Sequence, residues 1–335
     1  KTLFPYTTLF RSVTVSSSHI AVVSDDVSAS GTMAFNTSGQ LTIKPRDGFS
    51  FTSTFDTTKL IYQGGVSGLF IGHSTNTGSV TVNSTTTIAG PIEIYGGTLT
   101  VNAPLVATNN GIIKLKGSTL TDGASGYITA DKLAILSGAV TLDHISNNVA
   151  TLAASGVSSL TYVNSGAMTI GTVNPTGITA TGDVRIETLS GDLTVAADVV
   201  TTSTTANAVL LNAGKSTAAG TATGGNVLIS GMPTITAGTN GVIRLMGGSV
   251  SGSTGLTTLV GSGTGRFRYN SDESAVRYTW ALSPNVVNAI YREQPTATTH
   301  IDSLTVTYGF DHTLTLTGLK PDGTSALSTL RTAVN

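Results

Sequence analysis

Apolar residues alternate with threonine or serine in short runs along most of the chain, as in residues 79–82, 98–101 and 192–195. A period of two with many β-branched residues is typical of strands that bury one face. Glycine, asparagine and proline separate the runs, and no long stretch keeps the spacing of an amphipathic helix. The pattern predicts an all-β protein in which helix is a minor component.

A five-residue motif, Gly-x-(Leu/Val/Met)-Thr-(Val/Ile/Leu), recurs along the chain, and several of its separations lie near one or two multiples of about twenty residues. Residues 110–115 also match residues 240–245. Repeats of this kind predict a solenoid, here a right-handed parallel β-helix, because one coil cannot bury its apolar face until another stacks on it. The motif begins at Gly39, Gly78, Gly97, Gly138, Gly166 and Gly191.

The alternation also predicts which side chains point inward. Threonine and serine place hydroxyl groups on the solvent-facing side of such a sheet, where water can hydrogen-bond to them. Glycine or asparagine at the corners can adopt positive φ. We expect the alternate apolar positions to be buried. They include Val82, Leu99, Val101, Ile113, Leu115, Ile186, Val195, Leu228 and Ile243.

Composition narrows the function classes. The 335 residues include 95 serines and threonines, only 10% are charged, and the net charge is −1. No basic surface for nucleic acid is expected from this balance. No window has the apolar length of a membrane-spanning helix, and the absence of cysteine excludes a disulfide scaffold. Residues 144–182 carry no Asp, Glu, Lys or Arg at all. A spacer that is held together by backbone hydrogen bonds between strands needs few charged side chains.

Composition changes near residue 265, where aromatic residues return after a long interval without them. Beyond it, residues 304–308 and 314–316 alternate cleanly and residues 320–323 form a turn signal, which predicts the start of an antiparallel Ig-like module too short to be complete. We expect five parts: residues 1–12, an artefact; 13–59, an irregular β start; 60–265, the parallel β-helix; 266–300, a junction or cap; and 301–335, the truncated Ig-like module.

Residues 2–12 resemble the translation of a standard short-read sequencing adapter over eleven codons. Such a scar lies outside fold reasoning. We therefore expect the chain to be an internal fragment of a longer protein.

Several segments resemble the filamentous-haemagglutinin-like adhesins that Gram-negative bacteria export by two-partner secretion. The similar stretches are residues 148–156, 164–173 and 265–272, while residues 289–296 followed by 305–309 resemble the entry into the bacterial Ig-like modules called MBG repeats. The resemblance implies a secreted or cell-surface protein, an outer-membrane transporter during export, and a glycan or protein receptor as partner. We expect no cofactor.

An enzyme of the β-helix class would need clustered carboxylates. Asp183 and Glu187 lie on one side of a predicted strand at about 13 Å, beyond the range of paired carboxylate catalysis, with Arg185 between them. A solvated face with an arginine partner is the preferred interpretation. Asp192 and Asp198 complete the one acidic cluster worth following, since the register between coils is unknown.

Other chemistry-bearing residues have ordinary structural interpretations. Asp143-His144 lacks the nucleophile elbow of a hydrolase, the five histidines have no zinc spacing, and the Gly261–Gly265 tract lacks the lysine and helix of a phosphate loop. Calcium at Asp25-Asp26 or Asp272-Glu273 stays open. We assign no catalytic, cofactor-binding or metal residues.

Tyr278, Trp280 and Tyr291 allow two interpretations, a platform for carbohydrate or, preferably, a cap on the open end of the β-helix. For the whole chain we expect a non-enzymatic structural or adhesive stalk. The alternative is a β-helical carbohydrate-active enzyme, a lyase, glycosidase or tailspike-like hydrolase, and a close carboxylate pair in a groove would favour it.

Overall fold

The computed structural model describes residues 2–3, 19–26, 32–63 and 65–294, and these form an all-β structure with almost no helix. The helical parts are the single turns Thr57–Lys59 (3₁₀) and α1, Leu256–Val260. The strands of the first half are β1 Thr2–Leu3, β2 His19–Val23, β3 Met33–Asn36, β4 Gln40–Lys44, β5 Phe55–Asp56, β6 Leu60–Gln63, β7 Gly68–Ile71, β8 Val80–Val82, β9 Thr86–Ile88, β10 Ile92–Tyr95, β11 Thr98–Val101, β12 Leu105–Ala107, β13 Ile112–Lys116, β14 Thr119–Asp122, β15 Ile128–Ile135 and β16 Gly138–Leu142. The strands of the second half are β17 Asn148–Asn164, β18 Met168–Ile170, β19 Ile178–Ala180, β20 Val184–Thr188, β21 Leu193–Val195, β22 Val199–Thr201, β23 Val209–Ala213, β24 Val227–Ile229, β25 Ile235–Thr236, β26 Ile243–Gly247, β27 Phe267–Arg268 and β28 Val287–Tyr291.

These strands stack in register as a parallel β-solenoid of about 12 turns, as the repeats predicted. One column, which we call the first column, runs through β2, β4, β7, β10, β13, the end of β15, β17, β18, β21 and β24. The second column runs through β5, β8, β11, β14, β16, the end of β17, β20, β23, β26 and β28.

The third column changes its place in the coil at β17. Before β17 it follows the second column along each coil, through β9, β12 and the start of β15. After β17 it lies between the first and second columns, through β19, β22 and β25. Where the third column leaves its first position, the side chain of Asn164 takes the place of the next strand. Its Oδ1 accepts from the N–H of Val149 at 2.8 Å, and its Nδ2 donates to the Val149 carbonyl at 3.2 Å.

The core is the stack of inward side chains. Eight of the nine positions predicted to be buried are at most 1% exposed. Leu228 is the exception and that prediction was wrong: it is half-buried on the outer face, while Val227 pairs with the inward Leu193 and is fully buried. Residues 227–229 are all apolar, so the sequence offers no alternation there to choose the inward side.

Tight corners join the strands at the repeated glycines. A Cβ at Gly97 would lie 2.1 Å from the carbonyl oxygen of Thr77, because neighbouring coils approach closely at this corner. Gly138 has a φ of +100° and faces the carbonyl oxygen of Gly117 in the same way. The matched Asn110 and Asn240 both have positive φ, at 57° and 68°, so the second repeat also marks a left-handed corner.

Parallel pairing extends to both ends of the described chain. Thr2–Leu3 pairs with β2, and β28 lies between β26 and β27 although β27 precedes it in sequence. After β27, residues 269–286 run back across the outside of the second column before β28 begins; we call them the cover segment. Residues 301–335, where we expect an Ig-like module, lie outside the described residues.

Candidate functional site: a charged groove on the second column

The outer face of the second column carries a cluster of buried and half-buried charged side chains. Strand alternation points Arg185, Leu210, Arg244 and Asn288 outward in one row and Glu187, Asn212, Met246 and Ile290 in the next. Residues in the same row belong to successive coils, so they lie one strand spacing apart, about 4.8 Å. Side chains up to about 100 residues apart in sequence thus form one continuous surface.

The cover segment encloses this surface as a groove. Tyr278 and Leu282 pack on Leu210, Met246 and Ile290, which form an apolar floor. Between floor and cover lies a cavity of about 230 Å³. Its lining consists of Arg185, Asn207, Leu210, Arg244, Met246, Asp272, Glu273, Val276, Tyr278 and Ile290.

Glu187 anchors one end of the groove and is fully buried. Arg185 donates two hydrogen bonds to its carboxylate, from Nε to Oε2 at 2.7 Å and from Nη2 to Oε1 at 3.0 Å. Lys215 forms a second ion pair, with Nζ 3.1 Å from Oε2. Asn212 Nδ2 also donates to Oε1, at 3.2 Å. Burial opposes ionisation, but the two cations outweigh it and lower the pKa of Glu187. This carboxylate is therefore ionised and already neutralised.

Asp272 and Glu273 belong to the cover segment and hold it to neighbouring loops. Burial acts against the charge of Asp272, but N–H groups of Ala275, Ala219 and Ser274 overcome it and lower its pKa to about 2. Glu273 accepts from the backbone N–H of Ser216 and, at 3.4 Å, from Asn212 Nδ2. Both acids thus stabilise loop structure.

Arg244 differs from every other charged group in the groove. It makes no ion pair with the described residues, and its one hydrogen bond there goes from Nη2 to the side-chain oxygen of Asn207. Its Nε–H is shielded from solvent and has no acceptor. Burial, together with repulsion from Arg185, lowers its pKa, and Tyr278 offsets this in part. A guanidinium stays charged in such a setting, so the groove contains a cation that has no ion-pair partner among the described residues.

The acidic residues that we considered as one possible cluster, Asp183, Glu187, Asp192 and Asp198, have separate hydrogen-bond partners in the structure. Asp183 accepts from the hydroxyls of Ser203 and Thr205 at a corner. Asp192 and Asp198 each bond to a backbone N–H of the next coil, those of Asn226 and Thr234. Only Glu187 of this set lies on the outer face of the second column, and its predicted ion pair with Arg185 is confirmed. The expected solvated face is wrong for this residue, because Glu187 is fully buried.

The other predicted positions have local partners. His144 Nδ1 accepts a hydrogen bond from the backbone N–H of Ser146, and Nε2 lies within hydrogen-bond distance of the carbonyl oxygen of Ala124. The imidazole ring stacks on Tyr127. Asp25 pairs with Arg46. No group of three or more His, Asp or Glu side chains among the described residues is arranged to hold a metal ion.

The three aromatic residues do not form one surface. Tyr291 is fully buried and stacks between Phe267 and Tyr269 at the end of the solenoid, with ring centroids 6.4 and 5.7 Å away. Tyr278 covers the groove from the side of the cover segment. The guanidinium carbon of Arg268 lies 5.5 Å from the centroid of the Tyr278 ring. Trp280 is 76% exposed.

Sequence reasoning missed Arg244, Asn212, Lys215 and the contribution of Glu273. A weak signal existed for Arg244, because the match between residues 110–115 and 240–245 placed it opposite Lys114. The loop residues carried no signal, since Glu273 is 61 residues from its partner Asn212.

Comparisons of the chain with family models, with curated proteins and with solved structures found no match. Within the described residues, no helix has the length and apolar character needed to cross a membrane.

Proposed function

We propose that this chain is a non-enzymatic structural and adhesive stalk segment of a large secreted or surface-exposed bacterial adhesin of the filamentous-haemagglutinin type. The observation that carries the proposal is the parallel stack of about 12 turns. A solenoid of this kind grows in one dimension, and adding coils extends it without changing its cross-section. At about 4.8 Å per coil the stack gives a rod of roughly 60 Å, a fitting spacer.

The surface chemistry supports a stalk. Threonine and serine cover much of the outer faces, and residues 144–182 have no charged side chain. The expected partners are a glycan or protein receptor and, during export by two-partner secretion, an outer-membrane transporter. MBG-type repeats are proposed to follow the rod.

Bead adhesion tests this proposal. Beads coated with the purified chain should attach to epithelial cells more than albumin-coated beads do, and protease or glycosidase treatment of the cells should identify the class of receptor. Attachment equal to that of albumin would contradict an adhesive role for this segment.

One observation favours the second candidate, a carbohydrate-active enzyme. Glu187 and Glu273 accept from the same Asn212 nitrogen, at 3.2 and 3.4 Å, so two carboxylates lie close together, of which Glu273 lines the groove and Glu187 is buried beside it. Glycosidases use pairs about 5 to 9.5 Å apart, but one member must be a protonated acid. The lowered pKa of Glu187 and the Asn212 side chain between the carboxylates act against this role.

A turnover assay discriminates the two candidates. The stalk proposal expects no cleavage of uronate-containing or neutral polysaccharides. Cleavage by the original chain that disappears in Glu273→Gln, with unchanged circular dichroism, would establish the enzyme instead.

A further inference from the structure

We propose that the groove on the second column is a binding site for a single carboxylate-bearing sugar ring, a uronic-acid unit, with Arg244 as the residue that binds the carboxylate. This inference goes beyond the stalk role and does not depend on it, because it uses only the side chains around one cavity.

Arg244 has a positive charge that no acidic side chain of the described residues pairs with. A guanidinium has five N–H donors, and within the described residues only one of those of Arg244 has a protein acceptor. Arg185, the other arginine of the lining, is already paired with Glu187. An arginine fork matches the two oxygens of a carboxylate, so Arg244 is the place where an anionic group is favoured.

Two carboxylates in the lining limit the negative charge that a ligand can carry. Asp272 and Glu273 also line the cavity, and each is bonded to backbone N–H groups of the loops. Their negative charges oppose a doubly charged phosphate more than a singly charged carboxylate. Their remaining lone pairs can accept hydrogen bonds from hydroxyl groups, which sugars supply.

The lining of the cavity is mainly polar, and Leu210, Met246, Ile290 and Tyr278 contribute its smaller apolar part. A pyranose ring has a polar rim of hydroxyl groups and smaller apolar C–H faces, which suits such a lining. The volume of about 230 Å³ is below the usual range for drug-sized ligands, so it accommodates one ring rather than a chain.

The test measures binding of methyl α-D-galacturonide and of methyl α-D-galactoside, which has CH₂OH in place of the carboxylate, by ligand-observed NMR and calorimetry. The original chain should bind the galacturonide with Kd on the order of 1 mM, a modest affinity for a few polar contacts, and the galactoside at least tenfold more weakly. Equal binding of the two sugars, or no binding of the galacturonide, would overturn the proposal.

Variants assign the effect to the groove. Arg244→Gln should weaken galacturonide binding at least tenfold, while Arg277→Gln, which removes an exposed cation of the cover segment, should leave it unchanged. If Arg244→Gln fails to fold, Val276→Trp gives the answer, because it fills the cavity from the cover side without altering Arg244. Retained binding in Val276→Trp would place the sugar elsewhere and refute the site.

Competition distinguishes the ligand chemistry. Inorganic phosphate, sulfate and glycine are added to the galacturonide complex at matched ionic strength. Weak competition by all three supports a carboxylated sugar. Displacement by phosphate or glycine at equal concentration would overturn it in favour of a general anion or zwitterion site.

Discussion

At the scale of the residue, each inward side chain of the solenoid meets its equivalents in the coils on both sides. Val195 lies between Ile170 and Ile229 in the first column, and Leu99 lies between Val80 and Leu120 in the second. Neither position has a polar partner within the coil stack. A charge placed there is buried without compensation, which is among the costliest changes available in a protein.

We expect Val195→Lys to reduce the free energy of unfolding by on the order of 4 kcal/mol. The matched control is Thr194→Lys on the outer face of the same strand, which should cost less than about 1 kcal/mol. Urea denaturation followed by circular dichroism measures both. Equal midpoints for the two variants would contradict the inward register.

Arg292 is the largest fully buried side chain of the described residues. It donates to the carbonyl oxygens of Ala213, Thr223 and Gly225 at 2.6, 3.0 and 2.8 Å and so holds the loop after β23 to the end of β28. Arg292→Met should cost about 2 to 3 kcal/mol, because it leaves buried carbonyls without donors. Arg277→Met on the surface is the control, and Arg292→Lys should be intermediate because an ammonium lacks the fork. Thermal unfolding of all three checks this.

At the scale of the element, β17 is where the third column changes its place, and Asn164 satisfies the backbone that this change exposes. Its side chain takes the place of a strand for both backbone groups of Val149. Without it, one N–H and one C=O would be buried and unpaired.

Asn164→Ala should therefore destabilise the chain by about 2 to 4 kcal/mol, the cost of two unpaired buried groups. Asn83→Ala offers a control, since Asn83 bonds to Asp56 and Asn102 on the exposed surface. Hydrogen exchange at Val149 should rise strongly in the first variant and stay unchanged in the second. Unchanged exchange in Asn164→Ala would refute the capping role.

The cover segment should lose protection in acid. The pKa of Asp272 is lowered from 3.8 to about 2 in the folded chain, so its contribution to stability is complete above about pH 4 and is lost as pH falls toward 2. Glu187 shifts in the same direction. Hydrogen exchange of residues 269–286, corrected for intrinsic rates, should show lower protection at pH 3 than at pH 5. Asp272→Asn should reduce this difference.

At the scale of the whole molecule, a parallel stack has a length set by the number of coils. Small-angle scattering should show an elongated particle with a solenoid roughly 60 Å long, and far-UV circular dichroism should show sheet with negligible helix. A globular scattering profile or a strong helical spectrum would contradict the fold.

The sequence by itself determined the class of the fold and much of the core. Strict alternation of apolar with polar residues has only one buried side, so Leu99, Ile186 and Val195 could be assigned without coordinates. Glycines such as Gly97 and Gly138 marked the corners between strands. Alternation and corner glycines are patterns of a few neighbouring residues, so they can be recognised without knowing which coils lie side by side.

Tertiary structure alone decided which coils lie side by side. Coil lengths vary, so the sequence could not align Arg185 with Arg244 or bring Glu273 to Asn212. Where alternation stops, as at residues 227–229, only the pairing of Val227 with Leu193 selected the inward side. The groove exists because long-range stacking places outward residues of successive coils in rows and returns the cover segment over them, and no local pattern carries that information.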